Sequence, residues 1–236
     1  MTYVLIVVAH PDDAEIAMGM RIRAYADAGA RIRVHCLSTG TPGPTGAAER
    51  PEECRAAAAV LGVDAYTFAD IPDNQFVERR VEINAGLFEV FAEGRPDIVY
   101  THFPDDQHLD HSITAQEVTT VALREANDLC YLRSPYSVGF EPNKVFVGTK
   151  KLLQAKDAAL KCFASQSQLD MDAFLIMAAV AHRQYVHHRV VERFPPGSEY
   201  TELFRTARQI EFAGREDLPI ARQPAACPPR TQEQQP

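Results

Sequence analysis

The sequence predicts an α/β protein in which helices cover both faces of a mostly parallel β-sheet. Short apolar segments rich in β-branched residues alternate with longer helical patterns, which is typical of βαβ units. The first of these segments, Val4–Ala9, is apolar at every position, as expected for a strand covered on both faces. With 236 residues and no internal repeat, the chain fits one large domain.

Each further element of the N-terminal half has its own local signal. Ala14–Gly29 places its apolar side chains near one helical face, and its final glycine is a helix stop. Arg31–Leu37 is the second predicted strand. The alanine-rich segment Glu52–Leu61 predicts a helix that ends before Gly62, and Ala65–Phe68 predicts a short third strand.

The same alternation continues in the C-terminal half. A helix over Val81–Glu93 is stopped by the Gly94 and Pro96 that follow it, and Asp97–Thr101 is the fourth predicted strand. A polar loop then leads into a long helix over Asp110–Ala126. The last predicted elements are a strand, Lys144–Val147, and two helices, Lys150–Phe163 and Met171–His182.

The composition excludes several classes of protein. The net charge of -8 argues against nucleic acid or an anionic membrane as the main partner. No segment approaches the ~20 apolar residues of a membrane span, and the short N-terminal apolar run is expected to be a strand rather than a signal peptide. Five scattered cysteines without a CxxC pair predict a reduced, cytoplasmic protein. Residues 1–222 are expected to form a single domain, and the Pro- and Gln-rich residues 223–236 a disordered tail.

A first polar cluster lies where the first strand runs into the first helix. His10, Asp12 and Asp13 follow the apolar run directly. In an open α/β sheet, ligands bind at the carboxyl ends of the strands. Imidazole and carboxylate groups suit Zn²⁺ or a similar divalent ion. The segment therefore predicts a metal-dependent hydrolase rather than a phosphate or dinucleotide binder.

A second polar cluster follows the fourth strand and can converge on the first. His108 and His111 are three residues apart and share one face if a helix begins here. One of these histidines can complete a metal site begun by His10 and Asp13, while the other hydrogen-bonds to substrate. Asp110 can hold a ring nitrogen from outside the ligand set. Three protein ligands leave a position open for water, as in catalytic zinc sites.

Simpler interpretations exist for each residue taken alone. Asp12 and Asp13 can be a helix N-cap and a dipole partner, and Asp110 can be the same in its own helix. A single histidine is more often a surface or core residue than a ligand. Two clusters that each combine histidine with aspartate at a strand end nevertheless favour a metal site. Asp12, beside the ligands, can then take a proton from the attacking water.

These residues resemble the PIG-L/LmbE-type family of N-deacetylases. The motif HPDDAE at residues 10–15, together with HLDH at residues 108–111, is a specific pair. The resemblance extends to about residue 204 and includes Arg50, Glu53, Ala57, Leu61, Gly62, Lys156, Leu160, Ser165, Gln166, Glu199, Tyr200, Glu202 and Phe204. It implies a Rossmann-like, three-layer fold and a zinc-dependent enzyme that removes acetyl groups from N-acetylglucosamine conjugates and related amino sugars. It also implies a homo-oligomer, a trimer or a hexamer.

The resemblance assigns expected roles within the metal site. It implies that His10, Asp13 and His111 are the zinc ligands and that Asp12 is the general base. A site with two histidines and one aspartate can also take Fe²⁺, Co²⁺ or Mn²⁺. His108 is expected to help the oxyanion or the leaving group.

Three more residues receive roles outside the ligand set. Asp110 is expected to support a histidine. Arg50 is expected to bind sugar hydroxyls or phosphate, and Glu15 to support the substrate site from the first helical turn. Arg50 as a solvated charge at a helix start, and Glu15 as a solvated or capping residue, are the alternatives.

One position departs from the pattern. Some family members have a tyrosine two residues before the first histidine of HxDH, where it can help to stabilise the oxyanion, whereas this chain has Asp106. Either another group fills the role, or the acyl pocket differs. Besides His108, the candidates from the C-terminal third are His182, Tyr185, His187 and His188.

The sequence thus predicts a zinc hydrolase that removes an N-acetyl or N-acyl group from a small molecule containing an amino sugar. The first alternative is a metal hydrolase of the same fold that acts on a non-sugar N-acyl or ester substrate, such as a secondary-metabolite intermediate. The second is a catalytically inactive, zinc-stabilised binding protein. The presence of Asp12 beside the ligands argues against the second alternative, because binding alone does not need that carboxylate.

Overall fold

The computed structural model of the chain describes residues 1–40 and 49–210, and the strands of this part form one seven-stranded sheet. The strands are β1 (Tyr3–Val8), β2 (Arg31–Cys36), β3 (Ala65–Phe68), β4 (Ile98–His102), β5 (Asp128–Leu132), β6 (Lys144–Gly148) and β7 (Tyr200–Arg208). Their order is β3-β2-β1-β4-β5-β7-β6, and β7 pairs antiparallel with both neighbours while the other pairs are parallel.

Helices cover both faces of this sheet, which confirms the predicted α/β class. They are α1 (Asp13–Asp27), α2 (Glu49–Leu61), α3 (Arg80–Ala92), α4 (Leu109–Glu125), α5 (Lys150–Leu160), α6 (Met171–Tyr185) and α7 (His188–Val191), with a 3₁₀ turn over Ala164–Gln166. Alternate side chains of β1 divide the core because successive residues of a strand point to opposite faces. Val4, Ile6 and Val8 pack with α1, α2 and α5, whereas Leu5 and Val7 pack with α3 and α4.

Two strands were not among the predicted elements. β5 is short and begins with an aspartate. β7 mixes charged residues with apolar ones, and one of the charged residues, Glu202, is buried in an ion pair. The helix predicted to extend to Phe163 ends at Leu160. The amides of Cys162 and Phe163 bond to carbonyls three residues back, which tightens the last turn.

Helix α1 is broken near its start, and a residue from β7 stabilises the break. Met18 has φ −145° and ψ 26°, outside the helical region. The carboxylate of Glu202 accepts hydrogen bonds from the amides of Met20 and Arg21, at 3.0 and 2.8 Å. Backbone donors that the break removes from the helix ladder thus find a buried acceptor.

A buried lysine completes this arrangement. Lys156 Nζ donates to Glu202 Oε1 at 2.9 Å and to the carbonyl of Ile16 at 2.6 Å. A side chain at Gly19 would place its Cβ 2.9 Å from the stem of Lys156, so glycine leaves room for the lysine to pass. The ion pair therefore fixes the first turn of α1, which begins at Asp13.

The strand order places a ligand-binding position beside β1. Strand β1 pairs with β2 on one side and with β4 on the other. The chain runs outward from β1 through β2 and β3 on the first side and then returns to β4 on the second, so the strand order reverses between β1 and β4. Ligands bind outside the carboxyl ends of strands at such a switch point. Within the described residues, no helix is long and apolar enough to cross a membrane. The end of the predicted domain at residue 222 and the predicted tail lie outside the described residues.

Candidate active site

The loop after β1 has an unusual backbone. Asp12 occupies the N-cap position of α1 with φ 97°, and its side chain makes no capping hydrogen bond. The capping interpretation therefore does not apply to Asp12. A left-handed backbone at a non-glycine residue costs about 1–3 kcal/mol and is typically retained at functional sites. Asp13 Oδ2 accepts the backbone N–H of His10 at 2.8 Å, which folds the loop back on itself.

The structure brings the two polar clusters together. His108 precedes α4, and His111 lies in its first turn. The two rings stack with centroids 4.5 Å apart, as their three-residue spacing predicted. The ring of His10 lies 4.9 Å from that of His108 and 5.3 Å from that of His111. Side chains from the ends of β1 and β4 therefore face one another across the switch point.

Three donor groups at this position form a compact triangle. His10 Nδ1 lies 3.3 Å from His111 Nε2. Asp13 faces both rings, with Oδ2 3.6 Å from His10 Nδ1 and Oδ1 3.5 Å from His111 Nε2. A tetrahedral zinc ion with bonds of about 2.0–2.2 Å separates its ligand atoms by about 3.3–3.6 Å. The separations between these groups are therefore of the size that a shared zinc ion requires, with Asp13 facing each ring through a different oxygen.

A carboxylate lies beyond each ring of this triangle. Asp110 Oδ2 is 3.2 Å from His10 Nε2, and it also accepts the amide of Asn74 at 2.7 Å. Asp106 Oδ1 is 3.4 Å from His111 Nδ1, longer than an ordinary hydrogen bond. Metal-binding histidines typically present their second nitrogen to a carboxylate in this way, which fixes the tautomer and the ring orientation.

The acidic surroundings of His10 favour a positive charge. Burial lowers the pKa of His10, but its contacts with Asp110 and Asp13 outweigh burial and raise the pKa to about 10. For Asp13, burial raises the pKa, yet the facing His111 and His102 lower it well below its usual range. Both shifts describe a buried site that stabilises a cation, and a divalent ion would supply that charge in place of a proton.

His102, at the end of β4, is a site residue that the sequence analysis missed. Its buried ring stacks on His111 at 4.0 Å, and its Nε2 lies 3.2 Å from Asp13 Oδ2. Within the described residues, two other sets of donors also lie close enough together to hold a metal ion, His10/His108/His111 and Asp13/His102/His111. His102 Nε2 accepts the amide of Ala9 at 3.0 Å. This bond uses the lone pair that a metal would need, and burial lowers the pKa of His102 to about 4, consistent with a neutral acceptor.

Arg50 holds Asp12 in place. Its Nη2 donates to Asp12 Oδ2 at 3.0 Å and to the carbonyl of Pro11 at 2.6 Å. Burial and the adjacent Asp13 raise the pKa of Asp12 to about 7, although Arg50 lowers it. Gly40, at φ +82°, lies so close that a Cβ would meet Arg50 Nη1 at 2.6 Å. The sequence analysis expected Arg50 to bind substrate, and the structure shows in addition that Arg50 contacts Asp12.

Asp106 stands where some relatives have tyrosine, and its carboxylate is fully engaged. It accepts hydrogen bonds from the hydroxyls of Ser134 and Ser137 and from the amide of His108. A tyrosine from another segment lies nearby instead: the Tyr136 ring is 5.8 Å from that of His108. Tyr136 follows β5 at the same edge of the sheet, a position that local sequence patterns do not reveal.

Other residues singled out in the sequence lie away from this centre. Glu15 is fully buried, does not line the cleft, and has no hydrogen-bond partner for either carboxylate oxygen, so it is not a solvated residue, and its expected support of the substrate site stays a prediction. Burial raises the pKa of Glu15 to about 8. His182 binds Thr201 Oγ1 at 3.1 Å, and His187 and His188 are exposed and stack on each other. The C-terminal histidines therefore do not replace the tyrosine.

The triangle opens into a cleft of about 240 Å³. One part of its wall is polar and contains Arg50, Asp73 and Asn74. Another part is apolar and contains Ile16, Ala17, Leu132, Pro135, Leu169 and Phe174. A cleft with a few convergent polar groups beside an apolar wall is typical of a small-molecule site.

Comparison with protein families agrees with this geometry. The model of the family PIG-L, described as GlcNAc-PI de-N-acetylase, matches residues 5–122, which include both polar clusters. The chain belongs to the PIG-L family. Membership assigns it to the hydrolytic deacetylases.

Individual PIG-L relatives and structural neighbours extend the comparison. Diacetylchitobiose deacetylase of Thermococcus kodakarensis is 28% identical over 225 residues, which cover 82% of this chain and 83% of the relative. A deacetylase of teicoplanin biosynthesis has a TM-score of 0.71 at 18% identity, covering 87% of this chain and 97% of its own. GalB of Pseudomonas putida KT2440, a 4-carboxy-2-hydroxymuconate hydratase, has a TM-score of 0.74 at 21% identity, covering 90% and 98%. The two structures show a common fold, which hosts more than one reaction.

Proposed function

We propose that the protein is a zinc-dependent hydrolase that removes an N-acetyl or other N-acyl group from a small molecule containing an amino sugar. The observation that carries this proposal is the triangle of His10, Asp13 and His111 with the carboxylate of Asp12 beside it. The substrate class rests on the family description, a GlcNAc-PI de-N-acetylase, and on the relative named for diacetylchitobiose.

His10, Asp13 and His111 are the proposed metal ligands. Both histidines have a carboxylate beyond the ring, and His102 is engaged with a backbone amide, which supports this set over the one that includes His102. A divalent ion held by these residues would polarise the carbonyl of an amide and lower the pKa of water.

Asp12 is the proposed base. Its carboxylate lies beside the ligands, held by Arg50, and takes the proton of the water that attacks the carbonyl carbon. The water oxygen stays on the acyl carbon, the C–N bond breaks, and the proton passes to the departing nitrogen. The products are a carboxylate and a free amine. His108 lines the cleft and is the proposed partner of the carbonyl oxygen or of the leaving amine.

The polar wall of the cleft supports a sugar-containing amine. Arg50, Asp73 and Asn74 present charged and amide groups that can bind hydroxyls. A non-sugar amide or ester would use the same ligands and base, so the substrate arms of the test must separate these classes.

The test measures acetate and free amine from zinc-loaded protein. The arms are N-acetylglucosamine, N,N′-diacetylchitobiose and a non-sugar N-acetyl amine, each with chelator-treated protein and Asp12→Asn as controls. We expect turnover of the sugar substrates that is lost with chelator and restored by Zn²⁺. Preference for the non-sugar amide would contradict the substrate class. Bound zinc with no turnover in any arm would support the inactive binding protein instead.

A further inference from the structure

A second cavity continues from the cleft away from its polar wall. The two share Ile16, Ala17, Ser134, Pro135 and Phe174, so they lie side by side. The second cavity has a volume of about 60 Å³ and does not include Arg50, Asp73 or Asn74. An N-acetyl group ends in one methyl and does not need this additional space.

Most of the residues that line the cavity are apolar. Met177, Ala178, Ala181 and Leu203 contribute walls of α6 and β7. Among the polar residues of the lining, Lys156 and Glu202 bind each other and α1, Thr201 binds His182, and Ser134 donates to Asp106, while Arg133 is exposed to solvent. A largely apolar cavity whose buried polar groups are already hydrogen-bonded gains most by burying hydrocarbon.

We propose that this cavity binds the alkyl chain of an N-acyl group longer than acetyl, an inference that rests on the proposed hydrolysis. A water-sized group needs about 10–15 Å³ of such a volume, so the cavity accommodates roughly four carbons beyond the acetyl methyl. The amine side of the substrate then lies along the polar wall, and the chain passes Phe174 into the second cavity. The released product is a short fatty acid instead of acetate.

The test compares N-acetyl-, N-butyryl- and N-hexanoyl-glucosamine as substrates of the zinc-loaded protein. Each buried methylene contributes about fourfold to binding in the transition state, so kcat/KM should rise from acetyl to the longer chains. Ala178→Leu fills the cavity and should lower kcat/KM for the hexanoyl substrate by about tenfold or more while changing the acetyl value little. Met177→Ala widens the cavity at a partly exposed position, and should raise the hexanoyl-to-acetyl ratio.

Ile176→Ala is the matched control, because Ile176 is an exposed neighbour on α6 that does not line the cavity. The control should leave the ratio unchanged. Two outcomes would overturn the cavity assignment but not the proposed function. The first is efficient hydrolysis of the acetyl substrate alone. The second is an equal loss of kcat/KM for all acyl chains in Ala178→Leu, together with an unchanged hexanoyl-to-acetyl ratio in Met177→Ala. Turnover of no N-acyl substrate would contradict both.

Discussion

Asp12 and Asp13 are adjacent in the chain, but their carboxylates face different partners. Asp12 Oδ2 accepts a hydrogen bond from Arg50 at 3.0 Å, whereas Asp13 lies among the rings of His10, His102 and His111. Between the two contacts, the backbone at Asp12 is left-handed, with φ 97°. In the proposed mechanism, Asp13 would bind the metal and Asp12 would take the proton.

Replacing Asp110 should weaken metal binding without removing a ligand. Asp110→Asn takes the negative charge from His10 Nε2, 3.2 Å away, and makes His10 a poorer donor. Loss of such a partner typically costs about 10–100-fold in metal affinity. Competition with a chromogenic chelator measures the change in the dissociation constant of zinc. Asp105→Asn, at an exposed position, is the control and should bind zinc as the wild type does; equal affinity of the two variants would exclude the role of Asp110.

The buried pair of Lys156 and Glu202 should matter for stability. Lys156→Met leaves the carboxylate of Glu202 buried without its cation and the carbonyl of Ile16 without its donor. We expect the free energy of unfolding to fall by about 3 kcal/mol, as for other buried pairs that lose one partner. Urea unfolding monitored by circular dichroism gives this value. Lys161→Met removes an exposed ion pair and should change the free energy of unfolding little. A loss as large as that of Lys156→Met would show that burial of the pair is not the cause.

His35 should make stability depend on pH. The ring is buried beside Arg33, and burial followed by that positive charge lowers the pKa of His35 to about 4 from its ordinary 6.5. The unfolded chain therefore binds more protons than the folded protein between these values, so the contribution of His35 is complete above pH 6.5 and is lost as pH falls toward 4.

His35→Gln should remove this part of the pH dependence. Between pH 7 and pH 4.5, the wild type should lose about 2 kcal/mol more of its unfolding free energy than the variant. Chemical denaturation at both pH values gives the difference. His187→Gln, at an exposed position, should follow the wild type. If the unfolding free energy of His35→Gln and of the wild type fell equally between the two pH values, protonation of His35 would not destabilise the folded protein.

Local patterns in the sequence were sufficient to predict most of the sheet and the two polar clusters. The clusters were visible because each follows an apolar strand directly, and strand ends of a parallel sheet meet at one edge. His102 was missed because a single histidine at the end of a strand looks like the start of a loop. Only the pairing of β4 with β1 brings it against Asp13.

Contacts between distant segments were beyond local patterns. The resemblance pointed to Lys156 and Glu202, but their function in holding the broken start of α1 depends on β7 pairing back into the sheet. Asp106 is similar, since its partners Ser134 and Ser137 follow a strand that was not predicted. The burial of Glu15 could not be predicted either, because a charged residue in a first helical turn is expected at the surface, and here it is fully buried.

The central claim is that the two adjacent aspartates have different functions, and one measurement tests it directly. Asp12→Asn and Asp13→Asn are stripped of metal and reloaded with Zn²⁺; bound zinc is measured by mass spectrometry and turnover by acetate release. We predict that Asp12→Asn keeps zinc at the wild-type level while turnover falls about 100-fold or more. Asp13→Asn should lose zinc. Equal zinc content in both variants, or wild-type turnover in Asp12→Asn, would contradict the account.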